Sequence, residues 1–156
     1  MNQDILHMIN QIREVNRSLE EERERFTIVY HGTNINSAKQ IEKFGLDMKY
    51  SHGGYFGWGF YTTPDFDLAK SNYAEFNDAG ASAVVLEFQI DPTANILDLR
   101  DEKDWETWLP YADNISDENL WRTLVRNGID GLWDNSFGGV IIYNLKAAHL
   151  IKMHYL

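Results

Sequence analysis

Residues 26–33 read FTIVYHGT, and residues 57–63 read GWGFYTT. The first stretch opens with the β-branched and aromatic residues of a strand, Phe26 to Tyr30, and runs into His31, Gly32 and Thr33. A histidine at the exit of an apolar strand, followed by glycine, puts an imidazole at a sheet edge beside backbone that a ligand can approach closely. Gly32 leaves its N–H and C=O uncrowded, and a planar amide can pair with both. The second stretch closes a loop over residues 46–59 that is rich in glycine and aromatics, and passes into a short extended piece at 60–63. Tyr61 is thereby placed to lay its ring over a flat ligand. Pro64 and Asp65 start a helix to about Phe76, which carries a second ring, Tyr73.

Outward from this centre the pattern predicts a mixed chain. Residues 3–25 read as one amphipathic helix, with Ile5, Ile9, Ile12, Val15 and Leu19 at three- and four-residue spacing. Its stripe fits packing on its own domain, and equally docking on a partner or a second copy. A short helix follows Thr33, capped by Asn36 or Ser37 and ended by Gly45. Strands are expected at 83–90, 95–99, 129–133, 140–143 and about 149–155. Ser116 is the expected N-cap of a helix ending at Gly128. Trp105, Trp108 and Trp121 read as packing residues on helices, and the acidic segment 101–118 as a solvated face. Strands and helices do not alternate regularly enough for a doubly wound parallel sheet. The class is α+β, mostly antiparallel, divided into an N-terminal helix at 1–25 and one domain at 26–156.

Composition excludes several classes. The 156 residues suit one domain with its own core, and 44% hydrophobic with 24% charged residues is near the globular average. Fourteen basic against 24 acidic residues give a formal charge of −10, which removes any general affinity for a phosphate backbone. No cysteine exists, so disulfides, thiol nucleophiles and cysteine-ligated metals are out, as suits a cytoplasmic chain. The five histidines show no HxH or HxxxH spacing, so no metal site is expected. No apolar run of ~18 residues predicts a membrane span. The glycine loop lacks the Lys-Ser/Thr of a P-loop.

Taken in order, His31-Gly32-Thr33, then Gly59-Phe60-Tyr61, then Lys70-Ser71-Asn72-Tyr73 resemble the ADP-ribosyltransferase superfamily, in the branch of poly-ADP-ribose polymerases and diphtheria toxin. The likeness extends through Gly128-Ile129-Asp130-Gly131 and Val140-Ile141-Ile142-Tyr143-Asn144, so it covers about residues 26–156. The Lys-Ser region has one residue fewer before its tyrosine than the polymerase branch.

The resemblance implies a split antiparallel β-sheet that binds NAD as co-substrate, without a metal. It gives His31 a ribose hydroxyl, Gly32 the nicotinamide carboxamide, and Thr33 a contact to adenosine. It gives Tyr61 and Tyr73 the two faces of the nicotinamide ring, Ser71 its carboxamide, and the loop from His52 to Trp58 a place over the cofactor. His31 and Tyr61 would be the catalytic pair. The implied activity is mono-ADP-ribosyl transfer to a macromolecular target, protein or nucleic acid, with release of nicotinamide. Small members are often toxins, effectors or phage-type modifiers, which brings in an antitoxin, or self-association through the N-terminal helix, as partners. The alternatives are a non-catalytic NAD- or ADP-ribose-binding domain and a protein-interaction domain.

One departure bears on mechanism. The family's third motif carries a glutamate where this chain has Gly139, and Ser136, Phe137 and Gly138 supply no acid either. The nearest carboxylates are Asp134, several residues out of register, and Asp130, which reads as a turn residue. Loss of that acid argues against chain elongation and leaves both single transfer and binding open.

Overall fold

The strand β3 (Ala83–Ile90), AVVLEFQI, lies at the centre of a three-stranded sheet. The structure is a computed structural model that describes residues 3–24, 27–51, 53–74, 82–134 and 139–156, with the side chains of 14–24 and 72–74 outside that description. β1 (Ile28–Asn34) and β7 (Ala148–Tyr155) flank β3, and both pairings are antiparallel. Strands buried on both faces need no polar alternation. That is why Val84, Val85 and Leu86 follow one another, each fully buried.

A second sheet has the order β2 (Phe60–Thr62), β6 (Gly139–Ile142), β5 (Gly131–Asp134), β4 (Ile96–Asp98). Its pairs are antiparallel except β4 with β5, which is parallel. The two sheets meet at one bridge, where Tyr30 and Thr63 exchange both backbone hydrogen bonds at 2.7 and 2.9 Å.

Side-chain alternation then sorts the core. Val29, Val84, Leu86 and Phe88 of the first sheet pack with Trp133, Val140 and Ile142 of the second, so the two sheets close on each other over one apolar face. The opposite face of the second sheet, Leu132 and Ile141, is covered by Trp108 of α4 (Glu102–Ala112) and by Leu120 and Leu124 of α5 (Leu120–Arg126). The opposite face of the first sheet carries Val85 and Tyr30 beneath α3 (Phe66–Leu68) and the π-helical turn Ala69–Ala74 that continues it.

The α+β class and the mostly antiparallel pairing agree with expectation, and β3 has the expected limits. Several local readings differ. His31 lies inside β1, paired with Leu86, and not at a strand exit. The strand continues to Asn34 because that side chain caps α2 (Ile35–Phe44), accepting from the Ser37 N–H at 2.8 Å. Asn36 and Ser37 therefore lie inside α2. Ser116 caps nothing, since α5 begins at Leu120 after Asn119. Trp108 is core, but Trp105 is exposed, because α4 turns only one face to the sheet. The expected starts at Phe26 and ends near Phe76 lie outside the described residues.

α1 (Gln3–Glu24) forms as its periodicity predicts. Ile5, Leu6, Met8 and Ile12 along it are each about half exposed or more.

Candidate active site at the fork between the sheets

β1 and β2 are joined at Tyr30–Thr63 and diverge beyond it. Antiparallel pairs alternate between residues that share hydrogen bonds and residues that do not. Tyr30 directs its N–H and C=O to Thr63, away from β3. Gly32, two residues on in the same strand, directs its N–H and C=O to that same edge. The backbone proposed to hold a planar amide therefore faces the fork.

Phe60 and Tyr61 enter from the other arm. The His31 Nδ1 lies 2.8 Å from the Tyr61 carbonyl oxygen. A carbonyl oxygen only accepts, so Nδ1 carries the proton, and Nε2 of the neutral ring keeps its lone pair. The imidazole also packs on Phe60, with ring centroids 4.5 Å apart. Burial pushes the His31 pKa below its ordinary value, and the bond to the Tyr61 carbonyl opposes this only in part. His31 is thus a neutral imidazole at pH 7 with one tautomer fixed by its partner. It is an acceptor suited to a hydroxyl and unsuited to pairing with a phosphate as a cation.

Tyr61 is half-buried, on the face of Ile141 and Tyr143. Its hydroxyl donates to the Gly57 carbonyl at 2.7 Å and accepts from the Phe56 N–H at 3.1 Å. Burial raises its pKa, so the phenol is neutral and is no base. The glycine loop wraps the phenol tip. A Cβ on Gly54 would come within 2.5 Å of the Tyr61 hydroxyl, so only glycine allows that closure. Ser51 pins the loop's ends together, its hydroxyl donating to the Gly59 carbonyl at 3.0 Å and accepting from the Gly59 N–H at 3.2 Å. Tyr143 supports the loop from below by donating to the Phe56 carbonyl at 2.6 Å.

The remaining predicted residues divide. Thr33 is buried at 5% exposure, under the start of α2. Ser71 is exposed in the π-helical turn, its hydroxyl donating back to the Asp67 carbonyl at 2.8 Å. π-Turns of this kind recur at functional sites. The Tyr73 backbone belongs to the same turn, which packs on β1. The Tyr73 side chain and His52 lie outside the described residues. The structure thus brings together His31, Gly32 and Tyr61, with the backbone of the Ser71–Tyr73 turn beside them.

A separate open cleft of about 850 Å³ lies between Met48, Lys49, Trp58, Trp121, Arg122 and Lys146. Of the residues expected around NAD, Trp58 of the glycine loop lines it, while His31, Gly32, Thr33, Tyr61 and Ser71 do not. Among the described residues, no group of three or more histidines and carboxylates is arranged to hold a metal, and no helix is long and apolar enough to cross a membrane. Sequence reasoning overlooked the loop's own fastening, Ser51 and Tyr143. Its only trace in the sequence was a polar residue ahead of a glycine run.

No protein-family model matches the chain, and no curated protein matches it.

Proposed function

We propose that the chain binds NAD at the fork and transfers its ADP-ribose to a macromolecular acceptor, releasing nicotinamide. The observation that carries this reading is the contact between His31 Nδ1 and the Tyr61 carbonyl at 2.8 Å, with Gly32 turned toward the same gap. It ties the strand that carries His31 and Gly32 to the strand that carries the Tyr61 ring. A flat carboxamide ring needs a backbone amide pair and an aromatic wall. A ribose needs an acceptor for its hydroxyl, which the Nε2 lone pair supplies. Each group is preorganised by backbone or by a fastened loop, so little ordering cost attends binding.

The chemistry suits the site. Cleaving the nicotinamide–ribose bond builds positive charge on the sugar, as in glycoside cleavage. Groups that grip the leaving ring and orient the ribose lower that barrier by positioning. A neutral imidazole beside a developing cation adds no repulsion. The N-terminal helix, with its exposed apolar residues, is the surface for a target, an antitoxin or a second copy.

Isothermal titration with NAD, followed by chromatographic assay of free nicotinamide, tests the reading. The wild type is expected to bind NAD and to release nicotinamide, and Tyr61→Ala to bind at least about tenfold more weakly. A folded wild type with no heat of NAD binding removes both the enzyme and the binding-module readings. Binding without release leaves the binding module. Labelled NAD in a lysate, with protease and nuclease digestion of the products, identifies the class of acceptor.

A further inference from the structure

The chain carries ten more acids than bases, so a cavity whose lining is richer in cations than in acids stands apart from the rest of the surface. The open cleft of about 850 Å³ has such a lining, and its size is that of a small-molecule site. Three elements bring it one cation each. The 3-10 turn Met48–Tyr50 brings Lys49, α5 brings Arg122, and the 3-10 turn Leu145–Ala147 brings Lys146. Of the two acids in the lining, Asp47 is already engaged: it accepts from the Lys49 N–H at 3.0 Å and lies 3.7 Å from the Lys49 ammonium. The other is Glu118. Arg122, Lys146 and Glu118 take part in no ion pair among the described residues. Once Lys49 and Asp47 are paired, the remaining cations still outnumber the remaining acid.

Two indoles share this lining, Trp58 from the glycine loop and Trp121 from α5, and both are half-buried. No hydrogen bond among the described residues uses either indole N–H. Arg122 lies over the Trp121 ring, its guanidinium carbon 5.1 Å from the centroid. A guanidinium stacked in this way keeps its N–H donors in its own plane, free for an anion. Met48, Val125 and Leu145 add apolar lining. The cleft therefore offers aromatic surface and a surplus of donors, and a flat ring bearing an anion uses both. Donors that arrive from three elements suit a tetrahedral phosphate, whose oxygens accept in several directions, better than a planar carboxylate. Glu118 remains as an acceptor, and the exocyclic amine of a base can donate to it.

We propose that this cleft is a second binding site, for a mononucleotide, whose base stacks on the indoles and whose phosphate accepts from Arg122 and Lys146. No bond is made or broken there. A single phosphate needs only the local cations. A nucleic-acid strand would meet the chain's −10 charge along its length, so the free nucleotide is the favoured occupant. His31, Gly32 and Tyr61 do not line the cleft, and the proposal stands apart from the NAD reading. The two places share one element, the glycine loop: its Phe56 and Gly57 hold the Tyr61 hydroxyl, and its Trp58 lines the cleft.

The test titrates the whole chain with AMP, by calorimetry and by tryptophan fluorescence. AMP is expected to bind and to quench the emission, because a stacked base meets an indole. Adenosine, which lacks the anion, and ribose 5-phosphate, which lacks the ring, are each expected to bind at least about tenfold more weakly. The double variant Arg122→Glu with Lys146→Glu alters two exposed side chains, so the fold should persist by circular dichroism. Its affinity for AMP should fall at least about tenfold. A wild type that gives neither heat nor quenching with AMP overturns the proposal. So does a double variant that keeps AMP affinity within about threefold, since AMP then sits elsewhere, the fork included. Adenosine or ribose 5-phosphate bound as tightly as AMP overturns the ligand class. A single-stranded oligonucleotide bound at least about tenfold more tightly than AMP makes the occupant a strand and overturns it too. A wild type that binds AMP in the cleft and does not bind NAD removes the fork reading and leaves this one standing.

Discussion

The face where the two sheets close on each other and the face they turn outward are built on opposite plans. The closed face is mostly apolar: Val29, Leu86 and Phe88 of the first sheet against Trp133, Val140 and Ile142 of the second, with His31, Thr33 and Thr62 on the same side. The outward face changes character along its length. It is apolar under α4 and α5, whereas at the fork it carries Gly32, Tyr61 and Thr63, and Gly139 and Asp134 follow on the next two strands. The difference separates two tasks. One face holds the sheets together wherever they touch. The other carries polar groups and glycines beside the point where the sheets part.

The closed face should bear the largest stability effects. Leu86 is fully buried and reaches the cluster shared by both sheets. Leu86→Ala is expected to cost about 2–5 kcal/mol in urea unfolding, through lost transfer energy and a residual cavity. The remaining folded protein should keep its NAD affinity. An equal loss of affinity without loss of stability would erase the distinction between the faces.

The fork should give a smaller stability effect. Tyr61→Phe keeps the ring and deletes the hydroxyl that joins Gly57 to Phe56. It is expected to cost about 1–2 kcal/mol, because a half-buried carbonyl and N–H lose their partner. NAD affinity should hold within about threefold if the ring face, and not the hydroxyl, meets the ligand. A neutral stability effect would mean that the loop is not fastened through the phenol.

His31, which alternation puts on the side of Val29 and Leu86, also predicts a pH dependence. The unfolded His31 takes up a proton near its ordinary pKa of about 6.5, whereas the folded imidazole resists it. Below that value, and down to the depressed folded pKa, the unfolded state holds more protons, so stability falls as pH falls. His31→Asn offers a side-chain N–H to the Tyr61 carbonyl and does not titrate. Its Tm between pH 7 and pH 5 should fall less steeply than that of the wild type. Parallel curves would place His31 in a solvated setting.

How much of this the sequence discloses depends on the range of the interaction. β3 is legible because AVVLEFQI is locally unambiguous, and its limits follow. The end of α2 at Gly45 is legible because the chain there takes a positive φ of 78°. The boundary between β1 and α2 is not, since Asn34, Asn36 and Ser37 are all good caps and only the pairing of Asn34 with Ala83 decides among them. His31, Gly32 and Tyr61 are legible as a set through their order, but the bond that fixes the imidazole tautomer joins residues 30 positions apart. The nearness of Asp134 to Gly139 is hidden for the same reason. Read linearly, the two are five positions out of register. Folded as a hairpin, they are direct neighbours. Trp105 misleads because a tryptophan reads as core wherever it stands, while helix geometry turns it outward.

The smallest stability effect belongs to Ser71, and it sharpens the contrast most. Its residue is exposed, and its hydroxyl bonds only one turn back, to the Asp67 carbonyl. Such back-bonding contributes little to a helix, so Ser71→Ala should change stability by no more than about 0.5 kcal/mol. Affinity for NAD is the informative quantity. If the hydroxyl turns from Asp67 to the carboxamide when NAD binds, its loss removes one hydrogen bond, and Kd should rise about fivefold. If Kd does not move, the residue missing between Ser71 and Tyr73 has rotated the hydroxyl out of the site. The ring would then be held by Gly32 and the aromatic wall alone. Comparing Ser71→Ala with Ser71→Thr separates these cases, since threonine keeps the hydroxyl and adds a methyl to an exposed position. Rescue by threonine requires that the oxygen itself meets the ligand.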